Sequence, residues 1–295
     1  MSKIKLHISV RTPIPPVALA LIDNDKYEVS FRNGSAPLSE EEIIASIKDK
    51  DAVYFGVDPF YSRKILEQAK SLKVMSFAGV GYETFIDAKA ASELGIEIRN
   101  TPGVNGVSVA EFAVGLAIDA LRKITFLNGT KERSHSRELK SLNIGLIGFG
   151  GINKAIYKIL KDGFGANVRY WNRTGDTTPL DDILSESDII FIAITSNDET
   201  KNFIDASKIA KMKDGVILIN PARPALVEPE ALLAALESGK IATIAQDGYY
   251  ENEAFMKLSS DKFIATPHIA ARTIEAEEKI DIKAIQNIID FFEAK

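Results

Sequence analysis

Three side chains that can do acid–base chemistry follow three separate apolar runs of the sequence. They are Arg223, Asp247 and His268, and the runs before them cover residues 216–220, 242–246 and 263–266. If these runs are neighbouring parallel strands, their carboxyl ends meet at the sheet edge where α/β proteins hold ligands. There a guanidinium can bind an oxyanion or a carboxylate, an imidazole can supply a proton, and a carboxylate can orient that imidazole. The pattern favours an acid–base site over the alternative of an unrelated surface arginine, turn aspartate and loop histidine.

A glycine-rich turn earlier in the chain has the composition of a phosphate-binding turn. It consists of Gly148-Phe149-Gly150-Gly151-Ile152-Asn153, between an apolar run at 143–147 and a helical pattern at 154–160. A strand, a glycine turn and a helix in this order bring backbone N–H groups and the positive helix end to a pyrophosphate. Residues 148–152 are therefore the expected cofactor contacts. Asn153 stands where a third glycine is usual, so a ligand-free turn is the alternative.

The next apolar run, 168–171, ends where a dinucleotide-binding sheet distinguishes NAD from NADP. An acidic residue about twenty positions after the glycines holds the ribose hydroxyl of NAD. This chain has Asn172, Arg173 and Thr174 there instead. An arginine can pair with a 2′-phosphate, and a threonine hydroxyl can donate to it. The sequence predicts NADP as the preferred cofactor, with NAD as the second choice. The alternative is that Arg173 is a solvated loop residue that binds no ligand.

Composition restricts the class of protein. The 295 residues are 45% hydrophobic and 26% charged, which is typical of globular domains. The formal net charge is −5 and no window concentrates lysine or arginine, so nucleic acid is not an expected partner. The chain has no cysteine, which excludes disulfides, thiolate metal sites and a cysteine nucleophile.

Neither a membrane span nor a signal peptide is predicted. The longest apolar stretch, 107–124, contains four charged residues, and the apolar run at the amino terminus is short and followed by Arg11. We therefore expect a cytoplasmic protein without membrane contact. Of the remaining histidines, His7 is predicted to lie in a strand and His135 in an exposed linker, and neither indicates a metal site.

Short apolar runs alternate with helical patterns along the chain, as in parallel α/β sheets. The strands are predicted at 4–10, 27–31, 52–55, 73–77, 96–99, 143–147, 168–171, 189–194, 216–220, 242–246 and 263–266. The alternation restarts after residue 141, which predicts two α/β units.

Four helical patterns have features of their own. Ser39 and Glu42 form a capping box at one helix start. Residues 60–72 form an amphipathic pattern, and 107–124 is apolar on nearly all sides, so it is expected to pack between domains or subunits. The last pattern, 273–292, has no strand of its own and is expected to return to another part of the molecule.

Several motifs occur together in a fixed order. They are Gly79-Val80-Gly81, Asn100-Thr101-Pro102-Gly103, Ser108-Val109-Ala110-Glu111, the turn at Gly148, Asn220-Pro221-Ala222-Arg223, Asp247 and Thr266-Pro267-His268-Ile269. From about residue 77 to 271 the sequence resembles the D-isomer-specific 2-hydroxyacid dehydrogenases, which include glyoxylate/hydroxypyruvate reductases and glycerate and phosphoglycerate dehydrogenases.

This resemblance implies a Rossmann doubly wound parallel sheet inserted into a flavodoxin-like second α/β domain. The NAD(P)-binding Rossmann domain would cover residues 100–270, and the substrate-binding domain would combine 1–99 with 271–295. A homodimer that meets through the nucleotide domain is also implied, and it suits the apolar helix at 107–124.

The resemblance also implies residue roles in reducing a small 2-keto acid to a D-2-hydroxy acid. Arg223 would bind the substrate carboxylate and carbonyl oxygen, and His268 would give the carbonyl its proton. The backbone of Gly79, Val80 and Gly81 would hold the carboxylate. Ala222 would lie against the cofactor, and Asp247 would bond the nicotinamide amide.

The sequence departs from the family pattern at three places. The glutamate that keeps the histidine protonated usually follows the aspartate by five positions, where this chain has Asn252. Glu253 is the favoured partner, assuming one inserted residue, and Glu251 is the alternative. Pro224 replaces a usual glycine after Arg223, and Asn153 replaces the third glycine. The displaced glutamate and Pro224 support one alternative, a catalytically weak, dinucleotide-sensing co-regulator with a dehydrogenase fold. A Rossmann oxidoreductase for another substrate class is a separate alternative.

Overall fold

The computed structural model describes residues 2–57, 59–175 and 177–294. They form two compact units, Met1–Asn105 with Ile274–Lys295, and Gly106–Thr273. The domain limits expected from the sequence, 99/100 and 270/271, stand a few residues before these. At the first limit, the loop after Arg99 belongs to the first unit, and the second unit begins with a helix at Gly106.

The strands of both units coincide with predicted strands to within one or two residues at each end. They are β1 (Ile4–Ser9), β2 (Tyr27–Phe31), β3 (Ala52–Phe55), β4 (Val74–Phe77), β5 (Glu97–Arg99), β6 (Asn143–Ile147), β7 (Asn167–Trp171), β8 (Ile189–Ile192), β9 (Val216–Asn220), β10 (Ile241–Asp247) and β11 (Phe263–Thr266). All the pairings between them are parallel. The α/β fold class is thus confirmed in both units.

The helices follow the strands in alternation. They are α1 (Pro16–Leu19), α2 (Glu40–Ile47), α3 (Arg63–Leu66), α4 (Ala88–Glu93), α5 (Gly106–Arg122), α6 (Ile124–Leu127), α7 (Gly151–Lys158), α8 (Leu180–Glu186), α9 (Ala206–Lys211), α10 (Pro229–Ser238), α11 (Glu253–Met256) and α12 (Ile274–Glu293). A π-helical turn, Ile159–Gly163, extends α7.

The capping box predicted at Ser39 is confirmed, whereas the long helix predicted at 60–72 is wrong. Ser39 Oγ accepts from the N–H of Glu42, and the Glu42 carboxylate accepts from the N–H of Ser39. Helix α3 covers only Arg63–Leu66. The N–H groups of Gln68 and Ala69 bond three residues back instead of four, so the chain tightens into turns there.

The first unit has the sheet order β2-β1-β3-β4-β5, which is the order of flavodoxin-like folds. Helix α12 contacts β3, β4 and α1, so the carboxyl-terminal helix returns to the first unit as predicted. His7 lies in β1, also as predicted, and its buried Nδ1 is 3.1 Å from Ser30 Oγ. Burial, with Lys50 and Arg32 nearby, lowers the pKa of His7 to about 4.

A buried carboxyl group joins α12 to the sheet of this unit. Asp281 is 6% exposed and accepts a hydrogen bond from the hydroxyl of the fully buried Tyr54. Burial raises the pKa of Asp281 to about 6; the Tyr54 hydrogen bond acts in the opposite direction, and Glu277 raises the pKa further. Because the unfolded carboxyl ionises near its ordinary value of 3.8, the stability this group contributes below that pH is lost as the pH rises through 6.

We expect Asp281→Asn to stabilise the protein at pH 7.5 by up to about 3 kcal/mol and to keep only about a third of this advantage at pH 4.5. The amide keeps an acceptor for the Tyr54 hydroxyl and carries no charge to bury. Urea unfolding at the two pH values measures the difference in free energy. Asp290→Asn, at an exposed position of α12, is the matched control. Equal effects of Asp281→Asn at both pH values would contradict the expectation.

The second unit has the sheet order β11-β10-β9-β8-β6-β7. The chain passes from β6 to β7 on one side and then to β8 on the other, so the direction of the sheet changes at β6. In such a sheet the ligand crevice lies beyond the carboxyl ends of the strands at this change. A Rossmann sheet with the strand order 3-2-1-4-5-6 has two strands beyond the one at which the direction changes. In the described ranges of this sheet, β7 is the one strand beyond β6.

Helix α5 is covered largely by its own unit. It packs against α7, β9 and β10, and most of its alanine, valine and leucine side chains are buried. A Cβ at Gly106 would come 3.3 Å from the backbone carbon of Gly151, so a glycine permits the close approach of α5 to the start of α7. These contacts cover much of α5 within its own unit, and the expectation that it packs between domains or subunits stays a prediction.

Candidate functional site

The glycine turn after β6 has the shape that a pyrophosphate requires. Gly148 has φ +86°, and a Cβ there would lie 2.6 Å from the carbonyl oxygen of Ala193, so only glycine fits. Gly150 is the residue before α7, and a Cβ at this position would meet no atom within 4 Å. The open space above Gly150 therefore adjoins the N-terminus of α7, where N–H groups and the helix dipole favour a phosphate.

Asn153 takes the place of the third glycine without opening the turn. Its side chain is fully buried, and Nδ2 donates to the carbonyls of Ile147 and Gly148 at 2.9 and 2.8 Å. Asn153 Oδ1 is buried without a hydrogen-bond partner among the described residues. Asn153 departs from the usual glycine motif, but its side chain ties helix α7 to the turn by two hydrogen bonds.

Phe149, in the middle of the turn, is fixed by aromatic packing. Its ring stacks on Tyr170 with centroids 3.6 Å apart and planes 8° from parallel, and it meets the edge of Tyr157. The side chain is therefore engaged with β7 and α7. A contact from Phe149 to a cofactor would come from its backbone. Ile152, in the first turn of α7, is half-buried against the core of the unit.

The end of β7 carries an ion pair between Arg173 and Glu199. Arg173 Nη1 lies 3.3 Å from Glu199 Oε2, and both side chains are about three-quarters exposed, at 77% and 76%. Asn172 Nδ2 donates to the carbonyl of Thr174 at 3.3 Å, which tightens the loop around Arg173. The guanidinium expected to meet a 2′-phosphate thus has an exposed carboxylate as its present partner.

Arg223 stands on a turn held by a buried asparagine at the end of β9. Asn220 is fully buried; its Nδ2 donates to the Arg223 carbonyl at 2.8 Å, and its Oδ1 accepts from the N–H of Ala222 at 3.2 Å. The Arg223 side chain is exposed, and its Nη1 donates to the carbonyl of Ala222. Desolvation by surrounding protein atoms lowers the pKa of Arg223, and Asp247 acts in the opposite direction.

Pro224 is packed into the site. Its carbonyl accepts from the hydroxyl of Tyr250 at 3.2 Å. A Cβ at Gly248 would come 2.8 Å from the Pro224 ring, so the glycine after Asp247 leaves room for this proline. Tyr250 and Gly248 therefore accommodate the proline at the position where the family usually has a glycine.

Asp247, the last residue of β10, is 1% exposed and organises the loop after β11. Its Oδ1 accepts from the Thr266 hydroxyl at 2.6 Å and from the N–H of Ile269 at 2.8 Å. Its Oδ2 accepts from the N–H of Ala270 at 2.8 Å. The structure therefore brings Asp247 together with the segment that contains His268.

His268 is held at one ring nitrogen. Its Nδ1 lies 3.2 Å from the backbone oxygen of Asp247 and 3.6 Å from Asp247 Oδ2, and the side chain is 53% exposed. The backbone has φ +56°, the left-handed region that non-glycine residues seldom occupy. With Nδ1 directed at Asp247, Nε2 is the ring nitrogen left for a proton transfer.

The two glutamates expected near the histidine are not paired with it. Glu251 is exposed, and Glu253 is the exposed first residue of α11. Across the described ranges no hydrogen bond or ion pair links either of them to His268. Among the residues that the structure describes, the carboxylate paired with His268 is that of Asp247, with Oδ2 3.6 Å from Nδ1.

The predicted glycine segment of the other unit follows β4. The N–H of Gly79 donates to the carbonyl of Phe77, and the Gly79 carbonyl accepts from the N–H of Thr101. In the part of the chain described, no hydrogen bond engages the N–H of Val80 or Gly81. These two groups are therefore the donors of the segment that remain for a carboxylate.

Two other kinds of site are absent from the described residues. No group of three or more histidine, cysteine, aspartate or glutamate side chains is arranged to hold a metal ion there. No helix of that part of the chain is long and apolar enough to cross a membrane.

Comparison with known proteins identifies the family. Residues 114–270, more than half of the chain, match the family described as "D-isomer specific 2-hydroxyacid dehydrogenase, NAD binding domain". The chain belongs to this family. It is accordingly an oxidoreductase with a nicotinamide cofactor, as the resemblance of its motifs predicted.

Relatives of this 2-hydroxyacid dehydrogenase match along nearly the whole chain. It is 32% identical to a hydroxypyruvate reductase of Thermotoga maritima over 98% of both chains. It is 33% identical to a glyoxylate reductase of Thermofilum pendens, covering 94% of this chain and 88% of the relative. Among solved structures, NAD+-bound 3-phosphoglycerate dehydrogenase of Entamoeba histolytica superposes with a TM-score of 0.86 at 25% identity, covering 99% of this chain and 96% of that one.

Three residues around the candidate site were missed as functional positions by sequence reasoning. They are Asn220, Thr266 and Glu199, which hold the Arg223 turn, the Asp247 carboxylate and the Arg173 guanidinium. Asn220 and Thr266 had a usable signal, because each ends a buried strand beside a predicted site residue. Glu199 had none, since 26 residues of chain separate it from Arg173.

Proposed function

We propose that this dehydrogenase transfers a hydride between NADP, its preferred cofactor, and a small 2-keto or D-2-hydroxy acid of the glyoxylate or hydroxypyruvate/glycerate type. The observation that carries the proposal is the anchored His268, with Nε2 left for proton transfer. The names of the similar proteins, hydroxypyruvate reductase and glyoxylate reductase, support a small substrate. A phosphorylated substrate would require further basic residues that the sequence does not place.

The glycine turn is suited to the cofactor. Gly148 and Gly150 leave space for a pyrophosphate at the start of α7, and Asn153 holds that turn in place. Residues 148–152 would bind the phosphates, Asn172, Arg173 and Thr174 the ribose end, and Ala222 and Asp247 would lie near the nicotinamide. When bound, NADPH supplies the hydride from C4 of its nicotinamide ring.

The protein's own groups orient the substrate and move the proton. Arg223 binds the carboxylate and carbonyl oxygen of the 2-keto acid and stabilises the negative charge that develops on that oxygen. The Val80 and Gly81 N–H groups bind the carboxylate as well. As the carbonyl carbon accepts the hydride, the oxygen takes a proton from His268 Nε2, which leaves the ring neutral with its proton on Nδ1. Solvent then restores the Nε2 proton.

Three further proposals concern the whole molecule. The second unit is the nucleotide-binding domain and the first binds the substrate. The protein is a homodimer through its nucleotide domain, for which the exposed Val107 and Ile124 of the α5–α6 region offer apolar surface. It works in the cytoplasm, in keeping with a chain that has no cysteine.

We expect Glu199→Gln to raise kcat/KM with NADPH about 3- to 10-fold and to leave kcat/KM with NADH unchanged. The Arg173–Glu199 pair is exposed and weak, so a 2′-phosphate can displace it, and removing the carboxylate frees the guanidinium. Arg173→Asp is expected to shift the preference towards NADH. Steady-state kinetics with both cofactors measure the ratio.

Glu186→Gln is the matched control for the cofactor prediction, because Glu186 pairs with Arg169 of β7 in the same way. We expect it to leave the NADPH/NADH ratio unchanged. A ratio that stays constant in both Glu199→Gln and Arg173→Asp would contradict the 2′-phosphate role of Arg173.

The experiment that tests the proposed function is oxidation of NADPH and NADH by the purified protein with glyoxylate, hydroxypyruvate, pyruvate and larger 2-keto acids. We expect turnover with the smaller acids and a preference for NADPH. Tight cofactor binding without turnover of any 2-keto or 2-hydroxy acid would contradict the proposal and favour a dinucleotide sensor or another substrate class.

A further inference from the structure

We propose that Asp247 positions His268 for proton transfer, in the place that the family gives to a glutamate. The inference rests on the proposed function, because it assigns a partner to the acid of that reaction. Asp247 offers His268 Nδ1 two oxygens, the backbone oxygen at 3.2 Å and Oδ2 at 3.6 Å. An Nδ1–H donated to Asp247 keeps the proton for the substrate on Nε2.

The Asp247 carboxylate also fixes the backbone that carries the imidazole. It accepts hydrogen bonds from Thr266, two residues before His268, and from the N–H groups of Ile269 and Ala270 immediately after it. Between these bonds His268 adopts a left-handed φ of +56°. A non-glycine residue keeps such a conformation only where its surroundings enforce it. The carboxylate thus fixes the turn on which the imidazole stands, and the backbone oxygen of the same residue meets the ring at Nδ1.

The segment after β10 offers His268 no comparable partner. Asn252, at the position where the family has its glutamate, caps α11, with Oδ1 accepting from the N–H of Ala254 at 2.9 Å. Glu251 and Glu253 on either side are exposed. Arg223, after β9, also feels this carboxylate: desolvation lowers the pKa of Arg223, and Asp247 raises it. Within the described ranges, Asp247 is therefore the carboxylate that the structure places beside His268.

Asp247 was expected to bond the nicotinamide amide, and the two roles are separable. A carboxylate has about four acceptor positions, and three of those on Asp247 accept from Thr266, Ile269 and Ala270. The remaining position belongs to Oδ2, the carboxylate oxygen that lies 3.6 Å from His268 Nδ1. A residue that only anchors the nicotinamide affects cofactor affinity, whereas a residue that positions His268 affects the chemical step and the protonation pattern of the ring.

The test compares Asp247→Asn with Thr266→Val and Glu253→Gln in the full-length protein. Each variant is measured for kcat, cofactor Kd and the histidine ¹⁵N NMR spectrum, with His268→Ala to assign the signals. An asparagine cannot accept from both Ile269 and Ala270, so we expect kcat to fall about 10- to 100-fold while the cofactor Kd changes less than about threefold. In the spectrum the single Nδ1–H tautomer of His268 gives way to a mixture.

Thr266→Val removes one donor to Asp247 and retains side-chain volume, so it tests the inference if Asp247→Asn does not fold. We expect it to shift the tautomer in the same direction with a smaller loss of kcat. A tautomer change in Glu253→Gln and none in the other two variants would overturn the inference. So would a weaker cofactor affinity in Asp247→Asn with an unchanged tautomer. Because the spectrum needs no substrate, it decides the role of Asp247 even if the wild-type protein turns over no 2-keto acid.

Discussion

Replacing His268 with alanine is expected to lower kcat by roughly 10³-fold, within the range that a positioned general acid contributes. The carbonyl oxygen that gains negative charge during hydride transfer would then have no side-chain proton donor, and water would have to replace it. The cofactor Kd is expected to stay within about threefold of the wild-type value, because the glycine turn and the end of β7 are untouched. Single-turnover kinetics with NADPH and fluorescence titration of cofactor binding measure the two quantities.

His135→Ala is the matched control for the His268 prediction. His135 is exposed in a segment without regular structure, and we expect its loss to change neither turnover nor binding. Wild-type turnover in His268→Ala would remove this histidine from the mechanism. A parallel fall in turnover and cofactor affinity would instead indicate a disturbed fold of the loop after β11.

Replacing Arg223 with lysine is expected to lower kcat/KM for the 2-keto acid by roughly 10²-fold, and replacing it with alanine by roughly 10³-fold. Lysine keeps the charge but cannot present the planar pair of donors that binds a carboxylate and its neighbouring carbonyl together. The turn should survive both changes, because Asn220 bonds the backbone carbonyl of residue 223 and not its side chain. Steady-state kinetics over a range of 2-keto acid concentrations separate the effects on KM and kcat.

Arg137→Lys is the matched control for Arg223. Arg137 pairs with Asp188, which directly precedes β8 and so lies at the amino ends of the strands, away from the crevice. We expect its kinetics to equal those of the wild type. An Arg223→Ala variant that retains kcat/KM would exclude the guanidinium from substrate binding and from stabilising the oxyanion.

The strands and the glycine turn were predictable because their causes are local. Buried parallel strands require short apolar runs, and each run of this chain became a strand with nearly the predicted bounds. Gly148 was predictable for the same reason, since only glycine tolerates its φ of +86° beside Ala193. The prediction of a helix at 60–72 was wrong because an amphipathic pattern does not reveal where the helix ends. After Leu66 the backbone hydrogen bonds span three residues instead of four.

The partners of the site residues depended on neighbours distant in sequence. Asp247 and His268 are 21 residues apart, and Arg173 and Glu199 are 26 apart. The sequence suggested a glutamate near His268 because Glu251 and Glu253 stand close to the family position, but their segment caps α11 and leaves both exposed. Which carboxylate meets an imidazole is set by the sheet, which places the ends of β10 and β11 side by side.

By itself, the sequence determined the α/β class, the two units, the dinucleotide turn and the residue types of an acid–base site. These follow from periodicity and from backbone conformations that only certain residues allow. Only the tertiary structure decided that Asn153 ties down its own turn, that Glu199 faces Arg173 and that Asp247 holds His268. The physical reason is that a hydrogen bond or ion pair depends on distances of about 3 Å between side chains, and those distances exist only after the strands have paired.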